Sequence, residues 1–226
     1  MSLRSKLLLR FSLGLIFFAA LLFVPAGSAK FWQGWAWLAA FLIPVSFFFV
    51  YLYRHDRPLL ERRMKMKEEV GEQKIFQVLA SLIFFPAFVL AGFDHRLGWS
   101  RTYLRPVPLW LTVLSLAVII GSFFLIFWVM RVNSFASRTI QVEAGQAVVS
   151  TGPYHFVRHP MYSALSIFFI FTPMALGSFV VLPVFALLIP LFIYRLLNEE
   201  KMLRHELPGY PEYCLRTRFR LVPYLW

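Results

Sequence analysis

Six apolar runs, at about 7–24, 31–53, 75–93, 107–130, 163–176 and 179–197, leave this chain little choice of solvent. Most approach the roughly 20 residues that a helix needs to cross a bilayer core. With 59% hydrophobic residues, only 15% charged residues and a mean hydropathy of +0.66, the chain is too apolar for an ordinary soluble domain of its length. The expected fold is an all-α polytopic membrane protein with about six transmembrane helices, or five if the fifth and sixth runs are not both full spans. The fifth run is the short one: it gains length if Met161 and Tyr162 join it, and Gly177-Ser178 then turns tightly into the sixth. Pro173, Pro183 and Pro190 predict kinks or breaks in this pair, which lipid permits only where protein or water satisfies the freed backbone groups.

The formal net charge of +12 would suit a nucleic-acid partner, but its distribution follows the membrane instead. With six spans, 19 of the 23 Lys and Arg fall on one face and 4 on the other. The positive-inside rule then places both termini, and the more basic connections, in the cytoplasm. Attraction to anionic lipid accounts for the rest, and no nucleic-acid partner is expected. Trp32, Trp35, Trp37, Trp99 and Trp110 fall near span ends on the less basic side, as interfacial aromatics do. Arg4, Lys6 and Arg10, followed by an apolar core and the small residues 26–29, imitate a secretory signal; the run is expected to be retained as the first span. No repeat or linker divides residues 1–226, so a single integral membrane domain is expected. The connection 54–74, with Pro58 ahead of Leu59-Leu60-Glu61-Arg62-Arg63, reads either as a basic amphipathic helix on the membrane surface or as a solvated loop. Residues 133–150 lack apolar periodicity and read as a connection.

Two polar clusters interrupt this apolar frame, one at each end of the last hairpin. The first is Gly152-Pro153-Tyr154-His155-Phe156-Val157-Arg158-His159-Pro160-Met161-Tyr162. His155 and His159 have the i,i+4 spacing of half a metal site, but Pro160 argues against one helix through both and no third ligand stands nearby; no metal is expected. The single Cys214 rules out an intramolecular disulfide and a multi-cysteine metal site. Pro160 suits the first position of a helix, with His159 at its cap and free backbone donors facing the cytoplasm. This stretch either receives an anionic group or only anchors a helix among lipid headgroups. The second cluster is Glu199-Glu200 with Tyr210, Tyr213 and Arg216. Arg195 with Glu199, and Glu200 with Arg204, have salt-bridge spacing on a helix. Adjacent carboxylates nevertheless point about 100 degrees apart, so one of the pair is free to turn into the bundle. There a carboxylate can hold an ammonium or ribose hydroxyls. Arg216, Arg218 and Arg220 in the tail are suited to carboxylate or phosphate, or to lipid headgroups.

The ordered series Asn133-x-Phe135, Gly152-Pro153-Tyr154, Arg158-His159-Pro160-x-Tyr162, Glu199-Glu200, Tyr210-x-x-Tyr213-x-x-Arg216 and Leu221-x-Pro223 resembles the isoprenylcysteine carboxyl methyltransferase family, with its prokaryotic relatives and the phospholipid methyltransferases. The motifs occupy about residues 131–226; the earlier spans match only in general character. The resemblance implies S-adenosylmethionine as cofactor, held by Tyr154, Arg158, His159, Tyr162, Glu199 and Glu200. It implies Asn133, Tyr213 and Arg216 for the substrate, with Arg216 and Glu199 as the catalytic pair, at a site facing the cytoplasm. The acceptor it implies is the carboxylate of a lipidated or prenylated substrate. One departure is Ala164, where the family often has Gly two residues after the motif Tyr. Phospholipid N-methylation is the alternative within the same architecture. An NADPH-dependent membrane reductase, through the Arg-His-x-x-Tyr pattern that sterol reductases also carry, and a non-catalytic lipid-binding protein are the alternatives outside it.

Overall fold

The computed structural model describes residues 3–64, 71–134 and 146–226, and the secondary structure there is helical throughout. Helix α1 spans Leu3–Ala26, α2 Trp32–His55, α3 Arg57–Met64, α4 Gly71–Leu97, α5 Leu109–Val132, α6 Pro160–Ala175, α7 Leu182–Ala186, α8 Leu188–Glu206 and α9 Tyr210–Arg216. Phe135 of the motif series, Gly145, and residues 65–70 of the expected surface helix lie outside the described residues. The part of that helix within them, α3, is capped where Asp56 Oδ1 accepts the Leu59 amide at 2.9 Å, and it seats Leu59 and Leu60 fully in the core.

Five helical stretches among the described residues are long and apolar enough to cross a membrane: Leu9–Ala26, Trp32–His55, Ile75–Leu97, Leu109–Val132 and Leu182–Glu206. Helix α6 is the exception. Its 16 residues rise about 24 Å at 1.5 Å per residue, short of a bilayer core of about 30 Å. The five-span form of the expectation is therefore the one adopted. Pro160 opens α6 with His159 at its N-cap, and Pro173 falls in its last turn. Pro190 sits in the first turn of α8, where its missing N–H has no helical partner to lose.

Apolar side chains such as Ile43, Leu82, Leu109 and Phe124 stand more than 60% exposed, as lipid-facing positions do. The interior is aromatic. Trp37 stacks on Phe41 at 5.2 Å and lies 4.7 Å from Phe88, which meets Phe185 at 5.1 Å; Phe123 meets Phe168 at 5.6 Å. Trp37 thus departs from its expected interfacial place. It is fully buried, and its indole N–H donates to Thr172 Oγ1 of α6 at 3.3 Å. Trp32, Trp35 and Trp110 do remain exposed.

At the end of the bundle holding the α1–α2, α4–α5 and α6–α7 connections, the buried Asp94 carboxylate accepts the Ser100 amide at 2.7 Å and its hydroxyl at 2.5 Å. Ser100 Oγ in turn accepts the amides of Phe179 and Val180 at 3.0 and 3.2 Å. This relay ties the turn of the α6–α8 hairpin to the end of α4 and leaves its open end for the polar clusters. Helix α1 packs on α4 at Gly92, where an added Cβ would lie 2.5 Å from the Leu22 carbonyl oxygen and 2.6 Å from Pro25 Cγ. Close backbone approach through small residues is the usual means of helix association in lipid. Gly92→Val is expected to destabilise the protein by about 1–3 kcal/mol through overpacking, read as a lower melting temperature in detergent.

Candidate active site

The polar stretch begins at Gly152, whose φ of +59° is one that other residues rarely adopt. A side chain there would also press on Val132 Cγ2 and Trp128 Nε1 of α5, at 3.0 and 3.1 Å from the added Cβ. The chain makes one 3₁₀ turn over Gly152–His155 and then runs alongside the tail. The amides of Arg158 and His159 donate to the carbonyls of Phe219 and Arg220, both at 2.9 Å, and Ser163 Oγ donates to the Leu221 carbonyl at 2.6 Å. The two histidines diverge: His155 is exposed, whereas His159 is buried.

Glu200 sits where these segments meet. It is 3% exposed, and its Oε1 accepts Arg158 Nε at 2.6 Å and His159 Nε2 at 3.2 Å, while Oε2 accepts Arg220 Nε at 3.1 Å. An ionised carboxylate only accepts, so the imidazole carries a proton on Nε2. Arg158 spends its Nη1 on the carbonyls of Thr217 and Arg218, at 3.1 and 2.9 Å. Among the described residues, two guanidiniums thus face one carboxylate, leaving one positive charge in excess even with His159 neutral. Glu200 turns inward to these partners rather than toward Arg204 on its own helix.

Beside this group, half-buried Glu199 accepts Tyr162 Oη at 2.8 Å, and Arg195 Nε donates to the same phenol oxygen at 3.0 Å. Farther along, Asn133 Nδ2 donates to Tyr154 Oη at 2.8 Å, and the Tyr154 carbonyl accepts Tyr213 Oη at 2.7 Å. Burial pushes the Tyr213 phenol and the Cys214 thiol up, so both stay protonated at neutral pH. The residues singled out by sequence are therefore gathered at one end of the bundle, with one exception. Arg216 is exposed at the end of α9, and the tail cation that reaches Glu200 is Arg220. Motif spacing placed Arg216 on a helix but could not show that the chain beyond it doubles back.

Two further residues belong to this region. Arg195 reads in the sequence only as a helix ion-pair partner; its position inside an apolar run is the signal that marks it, and the structure buries it. Tyr210 is 4% exposed, and its hydroxyl has no hydrogen-bond partner among the described residues. Burial raises its phenol pKa, and the charge of Glu200 raises it further, so the hydroxyl keeps its proton at neutral pH.

Residues 110–207, from α5 to the end of α8, match the phospholipid methyltransferase family. This agrees with the resemblance read from the motifs, although α9 and the arginines of the tail lie beyond the matched stretch. No curated protein matches the chain in sequence. Among solved structures, the fold resembles that of a eukaryotic intramembrane Ras methyltransferase, the isoprenylcysteine carboxyl methyltransferase ICMT. The TM-score is 0.52 at 17% identity, over 100% of this chain and 88% of that one.

Removing the charge of Glu200 would leave Arg158 and Arg220 buried or half-buried without a counter-ion. Glu200→Gln is therefore expected to cost about 3–5 kcal/mol. Glu199→Gln, which keeps a hydrogen-bond acceptor for Tyr162, is expected to cost less, and thermal melts of the two purified variants give the order.

Proposed function

We propose that this protein transfers a methyl group from S-adenosylmethionine to the carboxylate of a lipidated or otherwise apolar acceptor, at the cytoplasmic face of the membrane. The observation that carries the proposal is the convergence of Arg158, His159, Tyr162, Glu199 and Glu200 at one end of an apolar bundle, with guanidinium charge in excess. The phospholipid methyltransferase match over α5–α8 supports methyl transfer as the reaction class.

The residues present fit such a cofactor. Glu199 accepts one phenol proton and keeps lone pairs for an ammonium, a sulfonium or ribose hydroxyls. The buried Tyr210 hydroxyl still needs a partner, and a ligand would supply it. When bound, the sulfonium supplies an electrophilic methyl group open to in-line displacement.

The chain's own part is to orient and to exclude water. Glu199 and Tyr162 face the donor. Glu200 holds Arg158 and His159 beside them, and Tyr154 links Asn133 at the end of α5 to Tyr213 of α9. Arg216 and Arg220 are the tail cations offered to the acceptor's oxygens. A carboxylate of ordinary pKa near 4 is already ionised at neutral pH, so no general base is required and positioning supplies the rate. The positive excess at Glu200 favours an anionic acceptor. The cytoplasmic orientation rests on the charge distribution, because this end of the bundle holds the more basic connections.

A second reading, N-methylation of a phospholipid, is favoured by the family match and is compatible with the same charge, since a phosphate would be drawn to the arginines. An amine acceptor must lose a proton, which would give a carboxylate or imidazole a basic role. Transfer of a radiolabelled methyl group to a farnesylated cysteine and, separately, to membrane phospholipids separates the readings: a base-labile product is an ester, a base-stable one an amine. Arg216→Ala and Arg220→Ala are each expected to raise the acceptor KM roughly 10- to 100-fold, the worth of a charge-assisted hydrogen bond, while in Arg216→Ala, which leaves the Glu200 cluster intact, the affinity for S-adenosylhomocysteine stays within about twofold. An unchanged acceptor KM in either variant removes that residue from the acceptor site.

A further inference from the structure

Arg195 is 6% exposed within the last membrane-spanning stretch, a place where an ionised side chain is costly and is retained for a purpose. Its guanidinium carbon lies 4.7 Å from the centre of the Phe76 ring, so a residue of α4 covers one face of the charge. Its Nε donates to Tyr162 Oη on α6, and Tyr162 in turn meets Glu199, one helical turn beyond Arg195 on α8.

The direction of this chain follows from the chemistry of its members. A guanidinium has donors only, so the phenol oxygen must accept from Arg195, and the single phenol proton is left for the Glu199 carboxylate. An isolated phenol would turn its proton toward any acceptor within reach. Here the rotor has one satisfied setting, and that setting aims one carboxylate oxygen of Glu199 at Tyr162 and leaves the other for a ligand. Phe76 packs on Phe192 as well as on Arg195, at 6.2 Å between centroids, so α4 holds the guanidinium against α8.

We infer that Arg195 is a positioning residue: it acts through the Tyr162 hydroxyl to hold the Glu199 carboxylate in one orientation toward the methyl donor. The inference rests on the methyl-transfer reading and adds to it a residue that no motif assigns, set in the membrane layer below the site.

The test is a double-mutant cycle on the full-length protein in lipid nanodiscs. S-adenosylhomocysteine affinity is measured by calorimetry, and methyl-transfer kcat and both KM values are measured for wild type, Arg195→Met, Arg195→Lys, Tyr162→Phe and the Arg195→Met/Tyr162→Phe double variant. Each of Arg195→Met and Tyr162→Phe is expected to weaken donor binding roughly tenfold, with the double variant no weaker than the worse single one. Arg195→Lys, which keeps a cationic donor, is expected to recover most of the loss, and the acceptor KM is expected to stay unchanged throughout. Losses that multiply in the double variant overturn the inference, as does an Arg195→Met that lowers the melting temperature without altering donor affinity. If Arg195→Met fails to fold, Arg195→Gln, too short to reach the phenol, replaces it, made alone and in the Tyr162→Phe background. No further effect there supports action through the phenol, and an effect as large as in wild type overturns it. A wild-type protein that binds no S-adenosylhomocysteine overturns the methyl-transfer reading itself and this inference with it.

Discussion

One buried carboxylate organises the functional end of this protein. Glu200 is reached by Arg158 and His159 from the stretch that opens α6, and by Arg220 from the tail, so a single side chain of α8 joins three segments distant in sequence. An ion buried this deeply is tolerable only with compensating partners, and here three donors reach its two oxygens. The same requirement explains why Arg158 also takes two tail carbonyls and why the amides of Arg158 and His159 bond the tail backbone. Each polar group brought down to the membrane surface needs a partner, and the partners are one another.

The membrane frame is built so that this end stays in place. Helix α6 is too short to span alone, and the Asp94–Ser100 relay holds the far turn of its hairpin. The polar stretch before Pro160 is thereby set at a depth where it meets Glu199 and Glu200. Tight packing of α1 on α4 at Gly92 and the aromatic interior around Trp37 supply the rigidity that a positioning mechanism requires. Arg195, set within the last apolar span and covered by Phe76, connects that interior through Tyr162 to Glu199.

Much of this was legible in the sequence because its signals are local. Apolar run length announced the spans, Pro160 marked the start of α6, and Arg158, His159, Tyr162, Glu199 and Glu200, singled out by their order, come together at one end of the bundle. The failures share a cause. Trp37 looked interfacial because its neighbours Trp32 and Trp35 are, yet the helix face it occupies turns inward to Thr172. Arg216 closes α9 as its spacing implies, but spacing did not disclose that Arg220, four residues on, reaches Glu200 because the tail leaves α9 and lies back along Arg158. The spacing of Arg195 and Glu199 suggested a simple pair on one helix. Nothing in it disclosed that Tyr162 would reach in from α6 to bridge them.

The sequence by itself determined that the chain lives in a membrane, roughly where its apolar helices run, and which polar residues interrupt them, because hydropathy, proline and glycine act within a few residues of themselves. The tertiary structure decided which of two adjacent carboxylates is surrounded by cations and which meets only a phenol among the described residues. It also decided which tail arginine closes the cluster, and that a membrane-buried arginine orients a phenol. Those outcomes depend on the facing of helices α4, α6 and α8 and on the return path of the tail. Electrostatic and hydrogen-bond energies depend on distances across space, which spacing along the chain does not encode.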